Sequence, residues 1–421
     1  MLTSSTGPLF GFILKRRTLQ GKEDPNRVTE KQGFASAARP DGPLVWLHGA
    51  SVGESLSMLP LIESLSEIRP DIRFLVTTGT LTSAELMAER LPASAFHQFV
   101  PLDHPAYWDR FFDHWKPDLA VIIESELWPN MIVGSCAHGV PLVLANARLS
   151  QQSAKGWGRV GRSIKALLSA FDLVLAQDEQ SASRLRALGA HRVETPGNLK
   201  FDAPPLQADS GALENLQTQI RERPCWVAAS THEGEETLIG RVHLELRKKF
   251  PGLLTIIAPR HPTRGAAVAD DLRELDLTVA RRTQDHAVTD DTDIYLADTL
   301  GELGLLFQLA PIAFIGGSFV DVGGHNPLEA ARLGTGVLFG PQMFNFEEAA
   351  KLLLDADAAK QVMSETDLVN SLSIWLSTPS ETQALAARGE EAISQSTHVA
   401  SRITQKLLPL LPEAENSKAD Q

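Results

Sequence analysis

Residues 44–54 read Leu-Val-Trp-Leu-His-Gly-Ala-Ser-Val-Gly-Glu. The apolar run from Leu44 to Leu47 predicts a short buried strand, and His48-Gly49-Ala50-Ser51 turns the chain into a helical pattern from Glu54 to Leu65. Strand, loop and helix start place Glu54 in the first turn of a helix at the carboxyl edge of a parallel sheet, where open α/β folds build their sites. Ser51-x-x-Glu54 also fits a capping box, in which serine and glutamate satisfy each other's backbone N–H groups. The stretch alone supports either a helix cap or a carboxylate with a chemical task.

Outward from it, apolar runs at 74–77, 119–123, 142–145 and 173–176 alternate with helical stretches. That alternation means βαβ units and a parallel sheet. It lapses within 198–208, at Asp202-Ala203-Pro204-Pro205, and resumes at Trp226-Val227-Ala228-Ala229, continuing through 253–258, 294–297, 312–315 and 336–339. The expectation is an α/β protein of two facing, doubly wound, Rossmann-like domains, 1–203 and 204–384, with a ligand cleft between them. A helical tail, 385–421, is expected to pack back on the first domain and to end in frayed, charged residues. The halves open alike, since Ser230-x-x-Glu233 follows Val227-Ala228-Ala229 as Ser51-x-x-Glu54 follows Val45-Trp46-Leu47.

A chain of 421 residues, 43% hydrophobic and 22% charged, has a globular composition with length for two cores. Its net charge of −13 argues against broad attraction to nucleic acid or anionic lipid, so any membrane contact must be local. The two cysteines, Cys136 and Cys225, have no ligand-like spacing and suggest neither disulfide framework nor zinc site. Near the amino terminus Pro8-Leu9-Phe10-Gly11-Phe12-Ile13-Leu14 is followed by Lys15-Arg16-Arg17, too short to span a bilayer.

The richest constellation is residues 316–329, where paired glycines and His325 precede Asn326-Pro327-Leu328-Glu329. Asn326 and Pro327 suit a helix start, glycines permit close backbone approach, and free N–H groups there attract phosphate. The pattern points to a nucleotide site rather than a merely tight turn, although it is neither a Walker loop nor GxGxxG. Arg260, in Pro259-Arg260-His261-Pro262 after an apolar run, can pair with a phosphate through its planar fork. Glu124 and Glu126 follow the run 119–123, and Lys200 stands close to the expected linker. Asp291-x-Asp293 and Asp355-x-Asp357 have metal-like spacing but read as solvated or capping residues, and no metal or other cofactor is needed.

Together these stretches resemble the 3-deoxy-D-manno-octulosonic acid (Kdo) transferase family of lipopolysaccharide synthesis. The matching words are the segments 48–54, 124–130, 145–150, 197–202, 230–235, 259–261, 301–303 and 323–329, in family order and across most of the chain. The resemblance implies a two-domain GT-B fold, CMP-Kdo as donor, a lipid A precursor (lipid IVA) as acceptor, and metal-independent inversion. Carried over residue by residue, it makes Glu54 the general base, with Glu124 and Lys200 stabilising the transition state. It sets Pro259, Arg260, Leu300, Gly301, Glu302, Asn326, Pro327, Leu328 and Glu329 around CMP.

Many family members begin with a long hydrophobic anchor, whereas this chain has only the run 8–14. The implied location is the cytoplasmic side of the cell inner membrane, attached without spanning it. Leu9, Phe10, Phe12, Ile13 and Leu14 would insert, with Lys15, Arg16 and Arg17 facing head groups. Two other readings share the fold: a sugar-nucleotide epimerase, which turns over donor alone, and a non-catalytic nucleotide- or glycan-binding protein, which shows no transfer.

Overall fold

A computed structural model describes residues 7–413, with side chains from residue 10 onward. The expected frayed end, 414–421, and the side chain of Leu9 lie outside the described residues. By internal contact the chain divides into two units, the first made of residues 1–203 and 397–421 and the second of 204–396. The chain thus returns to the first unit at Thr397, inside the helical tail rather than at its start. The helix Pro379–Ser396 stays with the second unit, and the helix Val399–Leu407 joins the first.

The first unit holds β1 (Leu44–His48), β2 (Arg73–Thr78), β3 (Ala95–Phe99), β4 (Leu119–Ile123), β5 (Leu142–Ala147), β6 (Leu173–Ala176) and β7 (Val193–Glu194). They form a seven-stranded, wholly parallel sheet in the order β3-β2-β1-β4-β5-β6-β7. The second unit holds β8 (Cys225–Thr231), β9 (Leu254–Pro259), β10 (Val279–Arg281), β11 (Ile294–Leu296), β12 (Ile312–Ile315), β13 (Gly336–Phe339) and β14 (Ala359–Gln361). Its sheet is also seven-stranded and parallel, in the order β10-β11-β9-β8-β12-β13-β14.

Parallel strands covered by helices on both faces must be apolar at nearly every position. β1 obeys this with alternating side chains. Leu44 and Trp46 enter a core with Trp108, Phe111, Phe112 and Trp115, while Val45 and Leu47 enter another with Met58, Leu61 and Ile62. Trp46 keeps its indole N–H satisfied through Thr77 Oγ1 at 2.9 Å. The unpredicted strands β3, β7, β10 and β14 are the four sheet edges.

Strand order reverses direction between β1 and β4 in the first sheet and between β8 and β12 in the second. The crevices beyond the carboxyl ends at such switch points are where open α/β sheets bind ligands. The segments 49–54, 124–130, 230–235 and 316–329 all leave these four strands at that end.

The helix Val399–Leu407 completes the second core of the first unit, where Val399, Ile403, Leu407 and Leu411 meet Leu61 and Leu65 of the helix Val52–Ile68. Thr404 and Ser64 hydroxyls meet at 3.0 Å. Ile403→Ala is expected to destabilise the first unit by about 2–5 kcal/mol, the usual range for such a core truncation. Hydrogen exchange of amides in Val52–Ile68 against urea measures this, and an unmoved midpoint would show that the helix merely rests on the unit.

Candidate functional site

In the first unit the turn after β1 is folded around Glu54, which is 9% exposed. Its Oε2 accepts the Ala50 N–H at 2.7 Å, its Oε1 accepts the Ser51 hydroxyl at 2.7 Å, and Ser51 Oγ accepts the Glu54 N–H at 3.3 Å. The serine half of the expected capping box is therefore formed, while the Glu54 carboxylate takes the Ala50 N–H and the Ser51 hydroxyl in place of the Ser51 N–H. This leaves about half of the carboxylate's acceptor positions for another donor, since a carboxylate offers about four. Gly49 packs closely on this turn, since a Cβ there would stand 3.0 Å from Glu54 Cβ.

After β4 the chain enters the left-handed region at Glu124, with φ of 61°, and near the end of β5 it does so again at Asn146, at 52°. A non-glycine residue held there costs on the order of 1–3 kcal/mol and persists where the surroundings over-determine it. Here the surroundings are visible. Asn146 Oδ1 accepts the Leu199 N–H at 2.9 Å, fixing the short helix Leu199–Asp202, and Lys200 Nζ from that helix meets Glu124 Oε1 at 2.7 Å. Glu126 accepts Trp128 Nε1–H at 2.6 Å, and its carboxyl is pushed up by burial and then by the charges of Glu54 and Glu124. Glu54, Glu124 and Lys200 thus belong to one strongly charged cluster at the carboxyl edge beside the β1–β4 switch point.

In the second unit a cavity of about 330 Å³ opens beyond β8, β9 and β12. Pro259 and Arg260 line it at the end of β9, followed by Leu300, Gly301 and Glu302 on the next turn and Asn326 and Glu329 from the glycine-rich segment. Pro327 and Leu328 are buried behind them. Arg260 is exposed and forms no ion pair among the described residues. Leu300 is 76% exposed at the cavity's mouth. Glu302 is held by Arg282 at 2.6 Å and by the Thr299 hydroxyl, and the Arg282 bond holds its carboxyl below the ordinary range. Glu329 accepts Asn326 Nδ2–H at 3.3 Å, and burial pushes its carboxyl up.

The glycine-rich segment itself departs from expectation. The N–H groups of Gly317, Ser318 and Phe319 all donate to Glu235, at 2.7, 3.1 and 3.0 Å, and so does that of His232 at 2.9 Å. Glu235 is 1% exposed, and its oxygens are saturated by backbone donors. The helix that follows, Leu328–Ala331, is one turn long, with Asn326 Oδ1 accepting the Leu328 N–H at 3.2 Å. The segment is therefore no open phosphate cradle, since the protein's own carboxylate occupies it. Nor does Ser230-x-x-Glu233 form a cap: Glu233 is exposed, Gly234 precedes the helix Glu235–Leu246, and Ser230 is left-handed at φ of 58°.

His325 also lines the cavity, and its Nε2 lies 2.9 Å from His232 Nε2. Sequence reading assigned neither imidazole a role, although both stand in the quoted words. In the acidic pairs flagged earlier, Asp293 accepts the Thr278 N–H and meets His243, and Asp355 pairs with Lys351.

Residues 26–203 match the family model described as 3-deoxy-D-manno-octulosonic-acid transferase (kdotransferase). The chain is 37% identical to the "Probable 3-deoxy-D-manno-octulosonic acid transferase, mitochondrial" of Arabidopsis thaliana, over 90% of this chain and 87% of that protein. It is 34% identical to the 3-deoxy-D-manno-octulosonic acid transferase of Haemophilus influenzae, over 91% of each. Among solved structures it is similar to the UDP-GlcNAc 2-epimerase of Neisseria meningitidis, with a TM-score of 0.62, 16% identity, and 87% of this chain and 100% of that one covered. That likeness is one of fold, the two-domain α/β architecture of GT-B type.

Glu235→Gln is expected to loosen the second unit rather than to alter chemistry directly. Its amide nitrogen would confront backbone donors, and leaving a buried donor unsatisfied costs about 1–3 kcal/mol. The expected outcome is an earlier melting transition and faster amide exchange at Gly317, Ser318 and Phe319. Wild-type protection at those three amides would mean that another acceptor holds the loop.

Proposed function

The chain belongs to the 3-deoxy-D-manno-octulosonic acid transferase family, and on that premise we propose that it moves Kdo from CMP-Kdo to a lipid A precursor such as lipid IVA, with inversion at the anomeric carbon. What carries the reading is a convergence. Three segments distant in sequence, at Arg260, at Leu300–Glu302 and at Asn326 with Glu329, line one cavity of about 330 Å³, suited to the cytidine monophosphate part of the donor.

The chemistry asked of the first unit is removal of the acceptor hydroxyl proton as its oxygen attacks the anomeric carbon and the bond to phosphate breaks. One positioned carboxylate suffices for an inverting displacement, and Glu54 is that base. The Ala50 N–H and the Ser51 O–H hold its carboxylate in place, through Oε2 and Oε1 respectively. Lys200, held by Glu124, offers a cation to negative charge in the transition state. Arg260 meets the departing phosphate. The reading assigns no step to a metal or other cofactor.

We place the protein on the cytoplasmic face of the inner membrane, because the acceptor's acyl chains stay in the bilayer while CMP-Kdo is soluble. Among the described residues no helix is long and apolar enough to cross a membrane. The helix Gly7–Leu19 supports a shallow contact with a corrected set of residues. Leu14 is 2% exposed and Phe10 packs edge-on to His104, so neither is free to insert. Phe12 and Leu19 are 65% and 81% exposed, on the same side as Arg16.

Incubation with CMP-Kdo and a tetraacylated lipid A precursor, followed by mass measurement of the lipid, tests the reaction. A lipid heavier by Kdo is expected, and turnover of CMP-Kdo without a heavier lipid would favour an epimerase. Glu54→Gln is expected to lower transfer by about 10²–10⁴ while CMP binding persists. If activity instead falls only in proportion to lost folded protein, the residue is a cap and nothing more. Phe12→Glu combined with Leu19→Glu is expected to reduce flotation with anionic liposomes, and undiminished flotation would move the contact elsewhere.

A further inference from the structure

The carboxylate that fills the glycine-rich segment raises a question about the anion in the cavity beside it. With the N–H groups of Gly317, Ser318 and Phe319 committed to Glu235, a bound phosphate must find other donors. Arg260 is one. Another candidate at the cavity wall is the pair of imidazoles that meet across the β8–β12 switch point, His232 from the loop after β8 and His325 from the loop after β12.

Their geometry is specific. The two Nε2 atoms are 2.9 Å apart, the ring planes are within 5°, and the centroids are 5.2 Å apart. A contact that short between near-coplanar rings is a head-on hydrogen bond in the shared plane, with the lone pair of one nitrogen aimed at the N–H of the other. Two neutral imidazoles joined in this way carry a single proton between them, so the tautomer of one fixes that of the other. The Cδ2 and Nε2 edge of His325 lies over Gly317, where a Cβ would come within 3.2 and 3.3 Å, and the same Cβ would stand 3.3 Å from His232 Cδ2. Gly317, at φ of 66°, therefore permits the pair, and the Nδ1 side of His325 is turned away from it.

We propose that His325 donates its Nδ1–H to the phosphate of the cytidine nucleotide, and that His232 is a positioning residue that sets this tautomer by donating its own Nε2–H to His325 Nε2. The inference rests on the donor-site reading of the cavity. An anionic acceptor selects this arrangement over its mirror, in which His325 would present a lone pair to the phosphate. The charged and titratable groups around the pair are Arg260 and His261 on one side and Glu235 and Glu236 on the other. Glu235 is spent on backbone donors and Glu236 is paired with Arg264 at 2.8 Å. Burial, then His232 and the neighbouring cation Arg260, hold His325 down to about 4. Both rings thus act as neutral donors near pH 7, and phosphate binding needs no change in their protonation.

Histidine ring-nitrogen NMR during titration with CMP tests the tautomer in the unaltered protein. CMP is expected to move His325 Nδ1 to the signature of a protonated, hydrogen-bonded nitrogen and Nε2 to that of an acceptor. Two variants separate donation from packing. His325→Asn keeps an amide donor where Nδ1 stands and should retain most CMP affinity. His325→Gln directs its amide toward His232 and should lose about tenfold or more, as for a hydrogen bond to a charged group. His232→Phe should leave CMP bound more weakly, with His325 shifted to a mixture of tautomers. Ring-nitrogen signals that CMP does not move, or equal affinities for wild type, Asn and Gln, would overturn the proposal while leaving the cavity a nucleotide site. Failure of CMP to bind the wild-type protein at all would instead overturn the donor-site reading.

Discussion

Every strand pair in both sheets is parallel, and this constraint governs what the rest of the chain can do. A parallel strand can follow its neighbour only after the chain has crossed back over a face, so the connections lay helices on the sheets and bury them, the loop from β10 to β11 excepted. The same rule sends every strand's carboxyl end to one edge. The turns after β1, β4 and β5 gather Glu54, Glu124 and the support for Lys200, and those after β8, β9 and β12 gather His232, Arg260 and His325. The backbone bends sharply at this edge, and Glu124 just after β4, Asn146 next to last in β5 and Ser230 next to last in β8 accept left-handed backbone although none is glycine.

Burial on both faces also decides how much of this was legible. Strands inside the sheets are nearly unbroken apolar words, such as Leu-Ala-Val-Ile-Ile in β4, and the eye finds them. The edges β3, β7, β10 and β14 read Ala-Phe-His-Gln-Phe, Val-Glu, Val-Ala-Arg and Ala-Lys-Gln. An edge strand has a neighbour on one side only and can be short and polar, which erases the signal. Glu54 and its cap were legible because both partners lie within four residues. The true acceptor for the glycine-rich loop was not, since Glu235 lies 82 to 84 positions away from the N–H groups it receives. The imidazole pair, separated by 93 positions, has no local pattern at all.

Each unit buries a glutamate soon after its first strand, and the two illustrate how the surroundings assign different work to one side chain. Glu235 receives four backbone N–H groups, has no capacity left, and serves as a fixed internal anion that shapes a loop. Glu54 receives two donors and keeps room for a third hydrogen to arrive. A turn with acceptor capacity to spare and a loop closed around its acceptor are thus built from one residue type in similar positions.

The helix Val399–Leu407 supplies Val399, Ile403 and Leu407 to the core of a unit that otherwise ends at residue 203. On a ribosome the chain emerges in the opposite order to its completion. The second unit, 204–396, is contiguous and can close as soon as its last helix is free, whereas the first-made half waits with Leu61, Ile62 and Leu65 only partly covered until residues 399–411 appear. Synthesis therefore gives the earlier half the longer exposure to chaperones and proteases, and an early stop codon near the end strikes the half that was made first.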